Sequence, residues 1–485
     1  MPSPAADAPC PEQAFNATAL KWHTCAWLLL PVLVFLTGWM HWYAALPLTL
    51  LMAAGLTPRE RKEPQTRDSL PAFPLFTRSS FLALAAFAAL MALSGWGEWV
   101  NQHPDHIVRN ACLRELVASP WPVIFPDGNV LIYNTGFWLV PALAGKLAPY
   151  TDAARVLIVL WGTWGLFLSW LWLCVFSGRR SLLLALLMAA FGSLLNFQCW
   201  LGLDLFRLHY FGTAEQIMCS ANASIPVLLF FIFLASGRMP LYWMPLLFAA
   251  TAFYSPLAAL GGLPLAACQW RRQWKGVLPL RDVLLHPSFS AAVLLGTCFL
   301  LYYGAVNAPS SHMGMRPFYT HPGDFLLMAT SFLLYALFCW RDFRKNPLFI
   351  CTLATGLILP FFYVNGDVND LLCKGSVPVM ACLLAFLASS WRSDWRPGST
   401  FPIIAVLPAP SRSFWRLRLR KQNLLPSPAG NGNSFSMRPR RAVRMNGAAL
   451  CTTPDTGGIP TIPALPSHGC ASFTVFRRVI PHDAG

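Results

Sequence analysis

Apolar residues in this chain come in long unbroken blocks separated by short polar turns, a pattern that predicts membrane-crossing helices. The blocks occupy residues 24–41, 44–56, 79–97, 154–176, 181–198, 223–236, 240–254, 255–269, 290–306, 324–340, 348–364 and 374–391. A transmembrane barrel would instead alternate apolar and polar residues over segments of about ten. Two stretches, 26–56 and 240–270, exceed the roughly 20 residues of one span, and each is divided into a hairpin. The turns are placed at His41-Trp42-Tyr43 and at Tyr254-Ser255-Pro256, where proline disfavours helix in the residue before it. The second half of each hairpin is short, so a re-entrant segment is the alternative.

Charge agrees with this division. With the N-terminus inside, the inner loops hold 17 Lys/Arg and the outer ones six (Arg109, Arg114, Lys146, Arg207, Arg316 and Lys374). The asymmetry predicts twelve spans with both termini cytoplasmic. Residues 98–153 then form the longest outer loop. Its stretch Val130–Leu147 is amphipathic and carries Tyr133, Phe137 and Trp138, which predicts a helix lying on the membrane surface. A thirteenth span is the alternative, and it would disturb the charge pattern.

Composition sharpens the class. Apolar residues make up 55% and charged ones 12% of 485 residues, about half the charge of a soluble domain. That excludes an ordinary cytosolic enzyme, a disordered protein and a small disulfide scaffold. The expected fold is an all-α polytopic transmembrane bundle over residues 21–396, preceded by a cytoplasmic segment at 1–20 and followed by a basic tail at 397–485. The net charge of +16 does not point to nucleic acid, because residues 401–485 alone hold 11 Lys/Arg against Asp455 and Asp483. This tail also holds 11 Pro and 7 Gly, cannot bury a core, and is expected to be disordered. It either meets anionic headgroups or is the product of a reading-frame change. No cleavable signal peptide is predicted, and the first apolar block reads as a retained helix. The 14 cysteines show no CxxC or zinc spacing. Cys25, Cys174, Cys268, Cys298, Cys339, Cys351 and Cys382 lie inside apolar blocks as small hydrophobes, and a disulfide among Cys112, Cys199, Cys219 and Cys373 stays open.

Candidate chemistry gathers in the outer loops. The first carries Glu98, His103, Asp105, His106 and Arg109. An acid at a membrane face can serve as general base for an acceptor hydroxyl or help bind a divalent cation. The competing role for Asp105 is N-cap of a helix over His106–Ala118. The second loop holds Asp204, Arg207, His209, Tyr210 and Glu215, where a local Asp204–Arg207 pair competes with a substrate role. The third holds His312, Arg316, Tyr319 and His321. Arginine suits bidentate phosphate binding, and interfacial anchoring is the alternative. The last turn holds Asp367, Asn369, Asp370 and Lys374, with Pro378 after them. Asp370 and Lys374 lie one helical turn apart on one side, against the alternative of a plain Asx turn. No P-loop, GxGxxG, HExxH or GxSxG is present at a plausible place; the signal is four loops supplying polar groups at one face.

Several pieces together resemble the integral-membrane GT-C glycosyltransferases. They are Glu98 and Asp105 after a span, Pro120-Trp121-Pro122, the stretch Leu131–Lys146, Tyr254-Ser255-Pro256, and Asn369-Asp370 with Lys374 and Pro378. The resemblance covers residues 20–396 and is one of layout. It implies sugar transfer from a polyprenyl-phosphate donor to an acceptor at the outer face, in a bacterial inner membrane. Asp105 would be the base or a metal contact (Mg or Mn), with Glu98 and Asp370 as further acids. His103, His106, Arg109, Arg207, Arg316 and Lys374 would contact substrate, Arg316 or Lys374 holding the lipid phosphate. The chain departs from the commoner layout: two spans precede the one leading to the acidic loop, and no DxD or acidic doublet follows it. The competing expectations are a lipid-linked oligosaccharide flippase or other transporter, and a polysaccharide polymerase or ligase.

Overall fold

The computed structural model describes residues 14–15, 17–57, 73–74, 77–148, 151–178, 180–192, 210–274, 279–305, 313–315, 322–364, 369–390 and 474–475. The chain divides into two units. One comprises Met1–Pro408 with Gly469–Gly485; the other, Ala409–His468, lies outside the described residues. The expectation of a disordered tail at 397–485 therefore falls outside them too, save the two-residue strand Thr474–Val475, which pairs with Leu131–Ile132.

The architecture is helical. In chain order the helices are α1 (Ala17–Trp39), α2 (Trp42–Leu56), α3 (Arg78–Leu93), α4 (His106–Ala118), α5 (Gly136–Leu147), α6 (Thr151–Ser177), α7 (Leu182–Ala190) and α8 (Thr213–Ala235). There follow α9 (Trp243–Tyr254), α10 (Pro256–Trp274), α11 (Leu280–Leu284), α12 (Pro287–Gly304), α13 (Pro322–Phe343), α14 (Pro347–Ile358), α15 (Asp370–Gly375) and α16 (Val377–Ser390). Each of the twelve predicted blocks carries a helix. Among the described residues six helices are long and apolar enough to cross a membrane, and five more are apolar but shorter. Both predicted hairpin turns coincide with helix breaks, at Met40–His41 and at Ser255. Polar residues before the apolar runs start several helices by accepting a free N–H: Thr77 from Ser80 (3.2 Å) and Asn346 from Leu348 (3.0 Å).

The helices divide into a centre and a periphery. Thr213–Ala235 and Asp370–Ser390 have 89% of their apolar window buried, whereas Pro287–Gly304 has 22% and Pro322–Phe343 33%. The outer two present Leu300, Leu301, Leu326 and Leu337 outward. Helices this apolar and this exposed require a bilayer around them. At the centre, Trp27 of α1 stacks on Trp161 of α6 (4.8 Å) and on Tyr254 at the end of α9 (5.9 Å). The Tyr254 hydroxyl reaches the Trp27 and Leu28 carbonyls, each at 3.2 Å, so the α9–α10 break is tied to α1.

Two elements differ from expectation. The amphipathic stretch Val130–Leu147 forms a helix only from Gly136 on, as α5, and α5 packs against α1, α4 and α6, with Phe137, Trp138 and Leu139 fully buried. An amphipathic pattern shows that one face seeks an apolar medium, not whether that medium is lipid or protein. The span predicted at 223–236 begins ten residues earlier, at Thr213, so Glu215 of the second outer loop lies in the first turn of a helix.

Candidate functional site

The chain turns sharply after α3. Gly95 and Gly97 have φ of +96° and +91°, and Glu98 follows at +65°. The guanidinium of Arg155 holds this turn, donating to the carbonyls of Gly97 (3.0 Å) and Glu98 (3.2 Å). The turn drives Trp96 inward against His106 (5.1 Å, edge to face) and Phe137 (5.4 Å). Glu98 pairs with Arg114, whose side chain is 60% exposed. Glu98 and Asp105 thus have different cation partners.

Asp105 sits at the start of α4 as expected, but its side chain makes no capping bond. Its Oδ2 instead accepts from Nη2 of Arg109 at 3.3 Å. His103 Nδ1 lies 3.4 Å from the Asp105 amide nitrogen and 3.5 Å from Oδ2. A neutral His103 ring accepts from the amide, and a protonated ring donates to the carboxylate. Burial alone would raise the Asp105 pKa. The His103 hydrogen bond and the charges of Arg109, His103 and Lys374 outweigh it and hold the carboxyl below its usual range.

Arg109 is only 2% exposed. Its Nε and Nη1 find no hydrogen-bond partner among the described residues, and the charge lies 6.0 Å from the Trp96 ring centre. A buried guanidinium with idle donors is costly. The Tyr133 phenol lies beside it. Burial pushes that phenol up in pKa, against the pull of Arg109 and Lys374. Tyr302 clamps the Tyr133 backbone, accepting from its N–H (3.2 Å) and donating to its C=O (3.1 Å). His106 is fully buried and donates from Nε2 to the Met218 carbonyl at 3.0 Å, which fixes the neutral tautomer. Burial first, then the Arg109 charge, pushes its pKa down to about 4.

The last turn arrives from the other end of the sequence. Asn369, in the left-handed region at φ +44°, accepts from Leu372 N–H (3.2 Å) and Val364 N–H (3.3 Å) and donates to the Phe362 carbonyl (2.9 Å). It starts α15 and seats it on the strand Phe362–Val364, which pairs with Met313–Met315. Lys374 then bonds Asp370 at 3.3 Å. Lys374 stands near enough for its charge to act on both Asp105 and Tyr133. The last turn therefore acts on the first loop through charge: Lys374, paired with Asp370, helps hold down the Asp105 that His103 and Arg109 flank.

Asp204, Arg207, His209, His312, Arg316, Tyr319, His321 and Asp367 lie outside the described residues. Tyr210 is buried and donates to the Gly356 carbonyl. Among the described residues no three His, Cys, Asp or Glu side chains gather as metal ligands, and Asp105 faces a guanidinium, a poor seat for a dication. The sequence pattern missed Tyr133 as a neighbour of the charged cluster, and it missed Trp96 and Gln216; the run of small residues Cys219-Ser220-Ala221-Asn222-Ala223-Ser224 leading into an apolar block was the available signal for the last of these. Compared with known proteins, the chain matches no family model, no curated protein and no solved structure.

Proposed function

We propose that the protein is a GT-C-like membrane glycosyltransferase that moves a sugar from a polyprenyl-phosphate donor to an acceptor at the outer face. In this reading the bundle has twelve spans, with both termini on the cytoplasmic side of a bacterial inner membrane. What supports it is Arg109: a buried guanidinium that donates to Asp105, lies within hydrogen-bonding reach of the Tyr133 phenol, makes no hydrogen bond from Nε or Nη1 among the described residues, and feels the charge of Lys374 through their shared neighbours. Such a group asks for a second anion, and phosphate fits its fork.

The chemistry follows from charge. The acceptor hydroxyl attacks the sugar's anomeric carbon, the bond from that carbon to the phosphate oxygen breaks, and the lipid phosphate leaves with the electron pair. Arg109 and Lys374 stabilise the charge gathering on that oxygen. Asp105 takes the hydroxyl proton. At rest Asp105 is a weak base, because the His103 hydrogen bond and then the Arg109 charge outweigh its burial and hold its pKa down. A phosphate that draws on the guanidinium loosens that hold, so the base strengthens when the donor is bound.

The test is sugar transfer from a polyprenyl-phosphate donor by purified protein, wild type against Asp105→Asn of equal expression and fold. Loss of a base of this kind costs about 10²–10⁴-fold. Activity that survives Asp105→Asn moves the base to Asp370 or Asp204. Absence of transfer with every donor favours a transporter, a reading to which the break in α8 at Ser220 lends weight.

A further inference from the structure

The helix α8 is broken where its neighbours carry the charged cluster. Ser220 leaves helical geometry (φ −159°, ψ 47°) with neither proline nor glycine at the break. A break releases the carbonyls of the preceding turn from their partners four residues on. Two of these are taken up by side chains from outside the helix. Trp96 Nε1 donates to the Ile217 carbonyl at 2.8 Å, and His106 Nε2 donates to the Met218 carbonyl at 3.0 Å. The third link runs the other way: Gln216 Nε2 donates to the Cys373 carbonyl at 2.6 Å, next to Lys374. Its Oε1 accepts from Ser220 Oγ (3.0 Å) and Ser224 Oγ (2.9 Å), which holds the amide in place. A cavity of about 20 Å³ lies alongside, lined by Phe191, Thr213, Gln216, Ser224, Val377 and Met380, with room for about one water.

The packing gives this arrangement its meaning. The helix α4, which carries Arg109, packs on α5 and α6, while α15, which carries Lys374, packs on α10, α16 and the strand Phe362–Val364. The two cations belong to different neighbourhoods. The segment Thr213–Cys219 touches both, through His106 on one side and Gln216 on the other.

We infer that the broken first part of α8 is a strut that sets the separation of Arg109 from Lys374, with Gln216 and His106 as its positioning residues. The inference deepens the reading above, in which one phosphate lies between the two cations. The break is what frees two carbonyls to be gripped, so the strut exists because the helix does not continue.

Two measurements test it, one without any ligand. The first is hydrogen exchange in the full-length protein in detergent, wild type against Gln216→Met, a change that keeps length and removes both hydrogen-bonding atoms. Residues 106–112 and 370–376 should exchange together about tenfold faster, while Thr251→Val, a buried polar change elsewhere, leaves both segments unchanged. Faster exchange confined to 213–224 overturns the inference. If Gln216→Met does not fold, Ser224→Ala, which removes one donor onto Gln216, should give the same joint loosening to a smaller degree. The second is binding of farnesyl phosphate to Arg109→Gln, Lys374→Gln and the double variant. In the wild-type background the double loss should differ about tenfold from the product of the single losses, and with Gln216→Met that coupling should fall to about twofold or less. Coupling that is unchanged by Gln216→Met overturns the strut. Joint loosening without any farnesyl phosphate binding upholds the strut and overturns the phosphate reading.

Discussion

Asp105 with Arg109, and Asp370 with Lys374, are each an acid followed four residues later by a cation, and each pair closes at 3.3 Å. Their surroundings differ. Asp105 precedes its helix and gives its carboxylate to Arg109 rather than to the helix N-terminus, while Asp370 occupies the first turn of α15. The Arg109 side chain is 2% exposed with idle donors; that of Lys374 is 15% exposed and points one ammonium at its acid. A pair at helix spacing usually serves the helix. The first pair does not, because a helix gains nothing from a buried guanidinium with unmet N–H groups. In the proposed reading, the difference makes Arg109 the member of the two that would take up a substrate anion.

The largest effect should come from breaking the first pair. Arg109→Gln leaves the buried Asp105 carboxylate with His103 as its remaining close partner, and removing one partner of a buried pair costs about 3–5 kcal/mol. Thermal or denaturant unfolding in detergent measures this. A loss below about 1 kcal/mol would mean that Asp105 reaches water once freed.

Acid should come next, through His106. Its unfolded pKa is 6.5 and its folded value about 4, so below pH 6.5 the unfolded chain binds a proton that the folded chain refuses. Stability therefore falls as pH drops from 6.5 towards 4, by ~3 kcal/mol for a shift of that size. Asp105 works in a separate window. Its folded pKa lies below 3.8, so its contribution is present above that value and is lost only at more acid pH. Unfolding curves from pH 7 to 4 should slope for the wild type and lie flatter for His106→Gln, which can keep a donor and cannot titrate. An unchanged slope in the variant would remove His106 from the account.

Lys374→Gln should cost less, about 1–2 kcal/mol, the value of a charge-assisted hydrogen bond with some access to water. Equal costs for Lys374→Gln and Arg109→Gln would erase the contrast between the two pairs.

Much of this was legible in the chain. The apolar blocks became helices, the breaks fell at His41 and Ser255, and Asp370 and Lys374 paired as their spacing implied. The approach of the last turn to the first loop was expected only as a shared face. Partnerships across long sequence distances stayed invisible: Trp96 with Ile217, His106 with Met218, and Gln216 with Cys373. Each uses a backbone carbonyl, which carries no sequence signature, and two of the three fall in the turn before the α8 break at Ser220. Local propensity gives little warning of a break that tertiary hydrogen bonds stabilise. Asp105 shows the converse. Its position marked a helix start correctly, yet its carboxylate serves Arg109 because a buried cation outbids a free N–H.

The smallest effects should come from Glu98, which shares a loop with Asp105 and had the same claim to chemistry by residue type. Its partner Arg114 is 60% exposed, so solvent screens the pair and Arg114→Gln should cost less than about 1 kcal/mol. The backbone at Glu98 has φ +65°, a conformation that costs a non-glycine residue roughly 1–2 kcal/mol. Glu98→Gly relieves that strain while losing the exposed pair, so its stability should stay within about 1 kcal/mol of the wild type or rise slightly. If Arg155 alone holds the turn, through the carbonyls of residues 97 and 98, then Glu98→Gln should transfer sugar within about twofold of the wild type under the same assay in which Asp105→Asn loses 10²-fold or more. A tenfold loss in Glu98→Gln would return the second acid to the chemistry and show that residue type in this loop says more than which cation the acid pairs with.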